Sequence, residues 1–286
     1  MPGMPRRSVF AGLLLAGLVQ PVHAQTGSTR EPPARQGAEF SVPQASPLFH
    51  RSDLLMAGGV LAVTGLLMPL DRDITHGFRG DGPQGSATLH RGAKILNTLG
   101  DPGGTIASLG LWGVGLVSGS ERLKDVGGHA TAAIAASGLI SALIKGVTGR
   151  QRPRIDPGDA DEFAVGQGFR SGARTSFPSG HTTAAFAFAT VMNAELRRLA
   201  PRPARFIGPF LFASAAGVGL ARVYDSKHWA SDVVLGAGIG TFTGLAVTRW
   251  AHPASENSEH LQPAALMPDI GVVPGGVSMA WSFPLD

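Results

Sequence analysis

Phe177-Pro178-Ser179-Gly180-His181-Thr182-Thr183-Ala184-Ala185-Phe186-Ala187-Phe188-Ala189-Thr190 passes from a tight small-residue loop straight into an apolar run, and its reading decides the fold. Pro178, Ser179 and Gly180 mark a helix start, where N–H groups lack intrahelical partners and the aligned peptide dipoles favour an anion. His181, in the first turn, is placed to exchange a proton with whatever occupies that seat. A plain Ser N-cap followed by an unengaged His fits the same residues.

The run that follows, Thr182 to Ala194, is one of six Ala/Gly/Leu-rich segments. The others are Leu54 to Leu70, Thr105 to Ser118, Ala130 to Ile144, Phe206 to Leu220 and Val233 to Val247. Six apolar helices follow from this pattern. Each falls short of the ~20 residues of a comfortable membrane span, so buried core helices remain the alternative. Gly236 and Gly240 have the small-x3-small spacing that lets helix backbones meet closely.

Composition agrees with a packed, apolar protein. Of 286 residues, 43% are hydrophobic and 15% charged, which excludes a disordered chain. The 40 Gly and 21 Pro follow no Gly-X-Y period, which excludes a collagen. Zero Cys removes disulfides, thiolate metal sites and a cysteine nucleophile. A net charge of +4 does not favour nucleic-acid binding. Mean hydropathy of +0.13 lies between soluble and membrane values.

Met1 to Ala24 has Arg6 and Arg7, an apolar stretch from Val9 to Val19, and Pro21 before the small-residue ending at Ala24, the three parts of a secretory signal peptide. An uncleaved anchor is the other reading. Residues 25–52 are a polar, Pro-containing lead-in, residues 53–250 the helical domain, and residues 251–286 an irregular tail, within which Val277, Met279, Trp281 and Phe283 alternate as one short strand. Arg197, Arg198, Arg202 and Arg205 between the fourth and fifth segments mark a cytoplasmic loop and turn the opposite loops outward. A cleaved signal followed by three spans would instead put Lys145 at the cytoplasmic face, a conflict the sequence leaves open.

Two more clusters lie at the ends of apolar segments. Lys145 and Arg152-Pro153 are seven residues apart, close to two helical turns, so the two cations share a face if the helix continues; Pro153 ends it near Arg152. A snorkelling Lys and a solvated Arg would look the same. Arg222, His228 and Asp232 form the third cluster, in which a helical i, i+4 spacing lets the carboxylate bond one imidazole nitrogen and leave the other as a lone-pair donor. That arrangement activates a His nucleophile, although the same spacing is common in surface pairs.

Together Lys145-x6-Arg152-Pro153, Pro178-Ser179-Gly180-His181 and Ala221-Arg222-x5-His228-x3-Asp232 resemble the type 2 phosphatidic acid phosphatase (PAP2) and vanadium haloperoxidase superfamily. The resemblance implies an all-α six-helix bundle, transmembrane in the lipid phosphatase-like branch. It implies a metal-independent phosphatase acting on a lipid phosphate or diphosphate, with no cofactor and no metal. His228 would attack phosphorus to form a phosphohistidine, oriented by Asp232. His181 would protonate the leaving oxygen and then activate water, and Lys145, Arg152, Arg222, Ser179 and Gly180 would hold the phosphate oxygens. One departure is Ala221, where the family pattern has Ser, a lost hydroxyl worth of order 1 kcal/mol.

The implied place is a bacterial envelope, in the inner membrane with the site facing the periplasm, and the implied partner is the lipid substrate. A soluble periplasmic acid phosphatase, a vanadium haloperoxidase and a non-catalytic lipid-phosphate binder are the alternatives. Nearby cations are expected to lower the pKa of His228, with Asp232 opposing them. The acids Asp156, Asp159, Asp161 and Glu162 read as a solvated loop. His23, His50, His76, His90, His129, His252 and His260 read as loop or helix-end residues. Trp112, Trp229 and Trp250 read as interfacial anchors or core.

Overall fold

A computed structural model describes residues 51–253 and, as backbone, residues 269–273 and 276–280. The expected signal peptide and the lead-in up to residue 50 lie outside the described residues. In chain order the helices are α1 (Arg51–Leu67), α2 (Asp71–Arg79), α3 (Asp81–Gly85), α4 (Ala87–Thr98), α5 (Gly104–Ser118), α6 (Glu121–Thr148), α7 (Gly180–Leu199), α8 (Pro201–Tyr224) and α9 (Ala230–Ala251). All six apolar segments are helical. The six-helix expectation is nevertheless corrected to nine α-helices among the described residues.

The three additional helices fill the polar stretch after the first segment, where hydropathy carries no signal. Their cues are at their ends. Asp71 and Asp73 open α2 and His76 and Arg79 close it, which complements the helix dipole. Ser86 caps α4 by accepting from the Leu89 N–H at 3.3 Å. The tail is less irregular than the sequence suggests: β1 (Asp269–Val273) pairs antiparallel with β2 (Gly276–Ala280). Val277 and Met279 fall in β2, whereas Trp281 and Phe283 lie outside the described residues.

Helix α7 is the axis of the bundle and packs against α6, α8 and α9, while α5 lies on α6, α1 on α9, and α4 on α8. Its core is built from small side chains, with Ala130, Ala133, Ala187 and Val191 fully buried together. The Gly236/Gly240 stripe of α9 faces α7 as its spacing predicts. A β-carbon on Gly236 would lie 2.6 Å from the Ser179 carbonyl oxygen, and one on Gly240 2.2 Å from that of Thr183. This close approach seats the loop before α7 directly on α9.

Four stretches, Arg51–Arg79, Glu121–Thr148, Pro201–Tyr224 and Ala230–Ala251, are long and apolar enough to cross a membrane. Leu55 is 79% exposed, Val117 93% and Phe210 70%, a spread of uncovered apolar surface that water would penalise and a bilayer accepts. The chain is a helical membrane protein. Arg249 at the end of α9 bonds Asp53 at the start of α1 at 2.5 and 3.0 Å, so α1 begins at the end of the bundle where α9 finishes. Trp229 is fully buried and belongs to the core, whereas Trp250 and Trp112 are exposed on helix flanks.

Candidate active site

The three sequence clusters meet at one end of the bundle. Helix α6 closes at Gly149, which adopts a left-handed φ of 58°, so the helix stops earlier than Pro153 alone suggests. Lys145 therefore sits in the last turn while Arg152 comes from the loop beyond, and the two do not share a helix face. The Lys145 ammonium donates to the Pro178 carbonyl oxygen. A β-carbon at Gly180 would lie 3.7 Å from Lys145 Nζ, so the cation sits directly beside the start of α7.

Ser179 is the N-cap of α7 but its side chain caps nothing. Its Oγ instead accepts from Thr182 Oγ1 at 2.8 Å, and its N–H donates to the Asp232 carbonyl oxygen at 2.9 Å. His181 is half-buried in the first turn, beside the N–H groups that a helix leaves to outside partners. Arg152 spans the site: Nη2 reaches Thr175 Oγ1 at 2.9 Å, Nη1 the Lys227 carbonyl at 3.1 Å, and Nη1 lies 3.5 Å from His228 Nε2. Arg222 enters from the end of α8, held by Asn97 Oδ1 at 3.0 Å, and its charge and that of Arg152 act on Lys145.

His228 is buried, and its ring orientation corrects the sequence expectation. Nδ1 lies 2.7 Å from the Ser176 carbonyl oxygen and 3.6 Å from Asp232 Oδ2. A carbonyl only accepts, so Nδ1 carries the proton and Nε2 keeps its lone pair. The backbone of Ser176 fixes the tautomer, and Asp232 acts through its charge. Burial, the largest cause, lowers the His228 pKa to about 3; Asp232 opposes this, and Lys145 and Arg152 add to it. The imidazole is neutral wherever the protein is folded and the solution not strongly acidic.

Asp232 is occupied elsewhere. Its Oδ1 accepts from Arg150 Nη1 at 2.7 Å, and its Oδ2 accepts from Ser176 Oγ at 2.5 Å and the Trp229 N–H at 2.9 Å. Arg150, fully buried, also bonds Asp71 Oδ2 at 2.8 Å, Ser231 Oγ at 2.7 Å and the Ala160 carbonyl oxygen at 2.7 Å. Phe163, Phe177 and Trp229 surround its guanidinium with centroids at 5.1, 5.8 and 5.5 Å. Asp71 in turn accepts from the Ser231 N–H at 2.9 Å.

Sequence reasoning missed Arg150, Asp71, Ser176 and Asn97. Arg150 lies inside the Lys145-x6-Arg152 gap, where the motif spacing specifies no residue; an Arg after a helix-ending Gly, between two motif cations, is the signal the sequence offers. Ala221 is buried against Ala93 and Tyr224, so a hydroxyl there would sit in an apolar cluster. The acidic loop is solvated as expected: Asp156 and Asp159 cap the N–H groups of Gly158 and Asp161, and Glu162 pairs with Arg174. Among the other histidines, His129 and His252 are more than helix-end residues, since both bond the buried Glu195.

A lone-pair nitrogen beside three cations at a helix N-terminus can attack an electrophile whose anionic oxygens the cations hold. Residues 127–256 match the PAP2 superfamily. A 72-residue stretch is 38% identical to a lipid A 1-phosphatase of Porphyromonas gingivalis, covering 25% of this chain and 15% of that protein's length. The fold resembles a transmembrane PAP2-type phosphatidylglycerolphosphate phosphatase from Bacillus subtilis, with a TM-score of 0.54 and 17% identity over 73% of this chain and 98% of the other. Aquifex aeolicus LpxE aligns with a TM-score of 0.43 and 26% identity over 57% of this chain and 87% of its own.

Proposed function

We propose that the chain belongs to the PAP2 superfamily, which its residues 127–256 match, and that it is a metal-independent phosphatase of lipid phosphate or diphosphate esters that works through a phosphohistidine. The observation that carries this reading is the His228 ring, locked by the Ser176 carbonyl with Nε2 turned toward Arg152. In the first step Nε2 bonds to phosphorus, the ester P–O bond breaks, and His181 delivers a proton to the leaving oxygen. In the second, His181 takes a proton from water, the water oxygen bonds to phosphorus, the N–P bond breaks and phosphate leaves. Lys145, Arg152, Arg222, the Ser179 hydroxyl and the Gly180 N–H hold the non-bridging oxygens as charge shifts onto them.

An apolar cavity of ≈ 670 Å³ between α2, α4 and α8 supports a lipid substrate. Leu96 and Ala221 line it, and their chain neighbours Asn97 and Arg222 hold each other at the site, so an acyl or isoprenyl chain in the cavity keeps its headgroup within reach of the cations. The Porphyromonas gingivalis relative, a lipid A 1-phosphatase, points to the same class. Exposed apolar helix faces favour this reading over a soluble acid phosphatase. The Arg-rich turn between α7 and α8 lies at the far end of α7 from His181, which supports a periplasm-facing site in a cell envelope.

The test is phosphate release by the purified full chain, in detergent with chelator, across lipid phosphates, lipid diphosphates and water-soluble esters. Release from lipids with trapping of an acid-labile phosphohistidine is expected. Absence of both, or loss of His228 without effect, refutes the reading.

A further inference from the structure

A second cluster of donors lies away from this site. His129 on α6, Glu195 on α7 and His252 just after α9 converge, although His129 and His252 stand 66 and 57 residues from Glu195 in sequence. His129 Nδ1 is 2.7 Å and His252 Nε2 2.8 Å from the same oxygen, Glu195 Oε1, and the candidate donor atoms all lie within 4.8 Å of one another. Glu195 is buried, and its other oxygen, Oε2, is held by Arg198 Nε and Nη2 at 3.1 and 2.9 Å. Glu195 lies fourteen residues beyond His181 on α7, about 21 Å along the axis at ~1.5 Å per residue, too far to touch the phosphate.

We infer that His129, Glu195 and His252 form a structural zinc site that ties the ends of α6, α7 and α9 together. Two imidazole nitrogens and one carboxylate oxygen are a donor set that Zn²⁺ accepts with water as the fourth ligand. Bonds of ~2.0–2.1 Å require the imidazole nitrogens to stand about 3.3 Å from the carboxylate oxygen in a tetrahedron, an outward shift of roughly half an ångström. Both rings are partly exposed, at 18% and 27%, which leaves room for that shift and for the water. Arg198 serves as the outer partner that keeps Oε1 aimed at the imidazoles. The two histidines bind through neutral nitrogens, so the ion displaces the protons that now bridge them to Glu195.

The experiment uses tag-free full-length protein in detergent, stripped with chelator and then equilibrated with ZnCl2. One zinc per chain by elemental analysis and a saturable rise in the thermal midpoint are expected. His129→Ala and His252→Ala should each lose the bound zinc and the midpoint rise while hydrolysis of a water-soluble ester stays within about twofold, the retained turnover showing that the variants fold. Stripped wild-type protein that takes up no zinc overturns the site, whatever the variants do. So does equal uptake by the double variant.

Discussion

The imidazole of His228 donates from Nδ1 to the Ser176 carbonyl oxygen at 2.7 Å, while the carboxylate that sequence spacing pairs with it stands 3.6 Å away. A main-chain acceptor cannot be deleted by changing its side chain. Ser176→Ala therefore removes only the 2.5 Å bond from Ser176 Oγ to Asp232. The expected result is a stability loss of about 1.5–3 kcal/mol, the range for a hydrogen bond to a charged group, with turnover reduced less than tenfold. Chemical denaturation and steady-state assays check both, and a collapse of turnover at full stability would mean that the hydroxyl, not the carbonyl, orients the ring.

Arg150 should behave quite differently. It is the common partner of two buried carboxylates, Asp71 and Asp232, at 2.8 and 2.7 Å, and Arg150→Ala leaves both uncompensated. Breaking a buried ion network from one side costs about 3–5 kcal/mol. The thermal midpoint should fall by many degrees and activity should go with it. An Arg150→Ala protein as stable as wild type would remove the network from any part in holding the site.

The contrast between these residues shows what the sequence contained. The charges of the three motifs were legible because each motif has fixed internal spacing, and the long helices because apolar runs are unbroken. Ser176 was invisible because its role belongs to its backbone. Asp71 and Asn97 lay in a polar stretch whose helices announce themselves only by caps, and they act across 79 and 125 residues of chain. Burial was the largest cause of the His228 shift, and no spacing rule gives burial.

That shift has a pH signature. The folded pKa of about 3 lies below the ordinary value of 6.5, so the unfolded chain takes up the proton first as pH falls. The contribution of His228 to stability is complete above pH 6.5 and is lost progressively between about 6.5 and 3. Wild type should lose more stability than His228→Gln between pH 7.5 and 4, measured by denaturant unfolding. Parallel losses in the two proteins would contradict a neutral buried imidazole.

Ala221, where the family pattern has Ser, packs in an apolar cluster with Ala93 and Tyr224. Restoring the hydroxyl in Ala221→Ser should leave turnover within twofold and lower stability by at most about 1 kcal/mol, since a helical Ser can bond the carbonyl one turn back. A several-fold gain in turnover would show that the hydroxyl does reach the site.

The apolar cavity supplies the last test, because it separates the chain-binding role from the chemistry. Gly92 on α4 lines that cavity, and a β-carbon there would meet nothing within 4 Å, so Gly92→Leu adds apolar bulk to the cavity wall from an open position. Leu also favours the helix over Gly by close to 1 kcal/mol, so the substitution should not unfold α4. The phosphate seat is untouched. KM for a long-chain lipid phosphate should therefore rise about tenfold or more, while kcat/KM for a small water-soluble ester stays within twofold, in line with a loss of binding made equally in ground and transition states. Equal effects on both substrates would show that the cavity does not receive the lipid chain, and that headgroup contacts alone select the substrate.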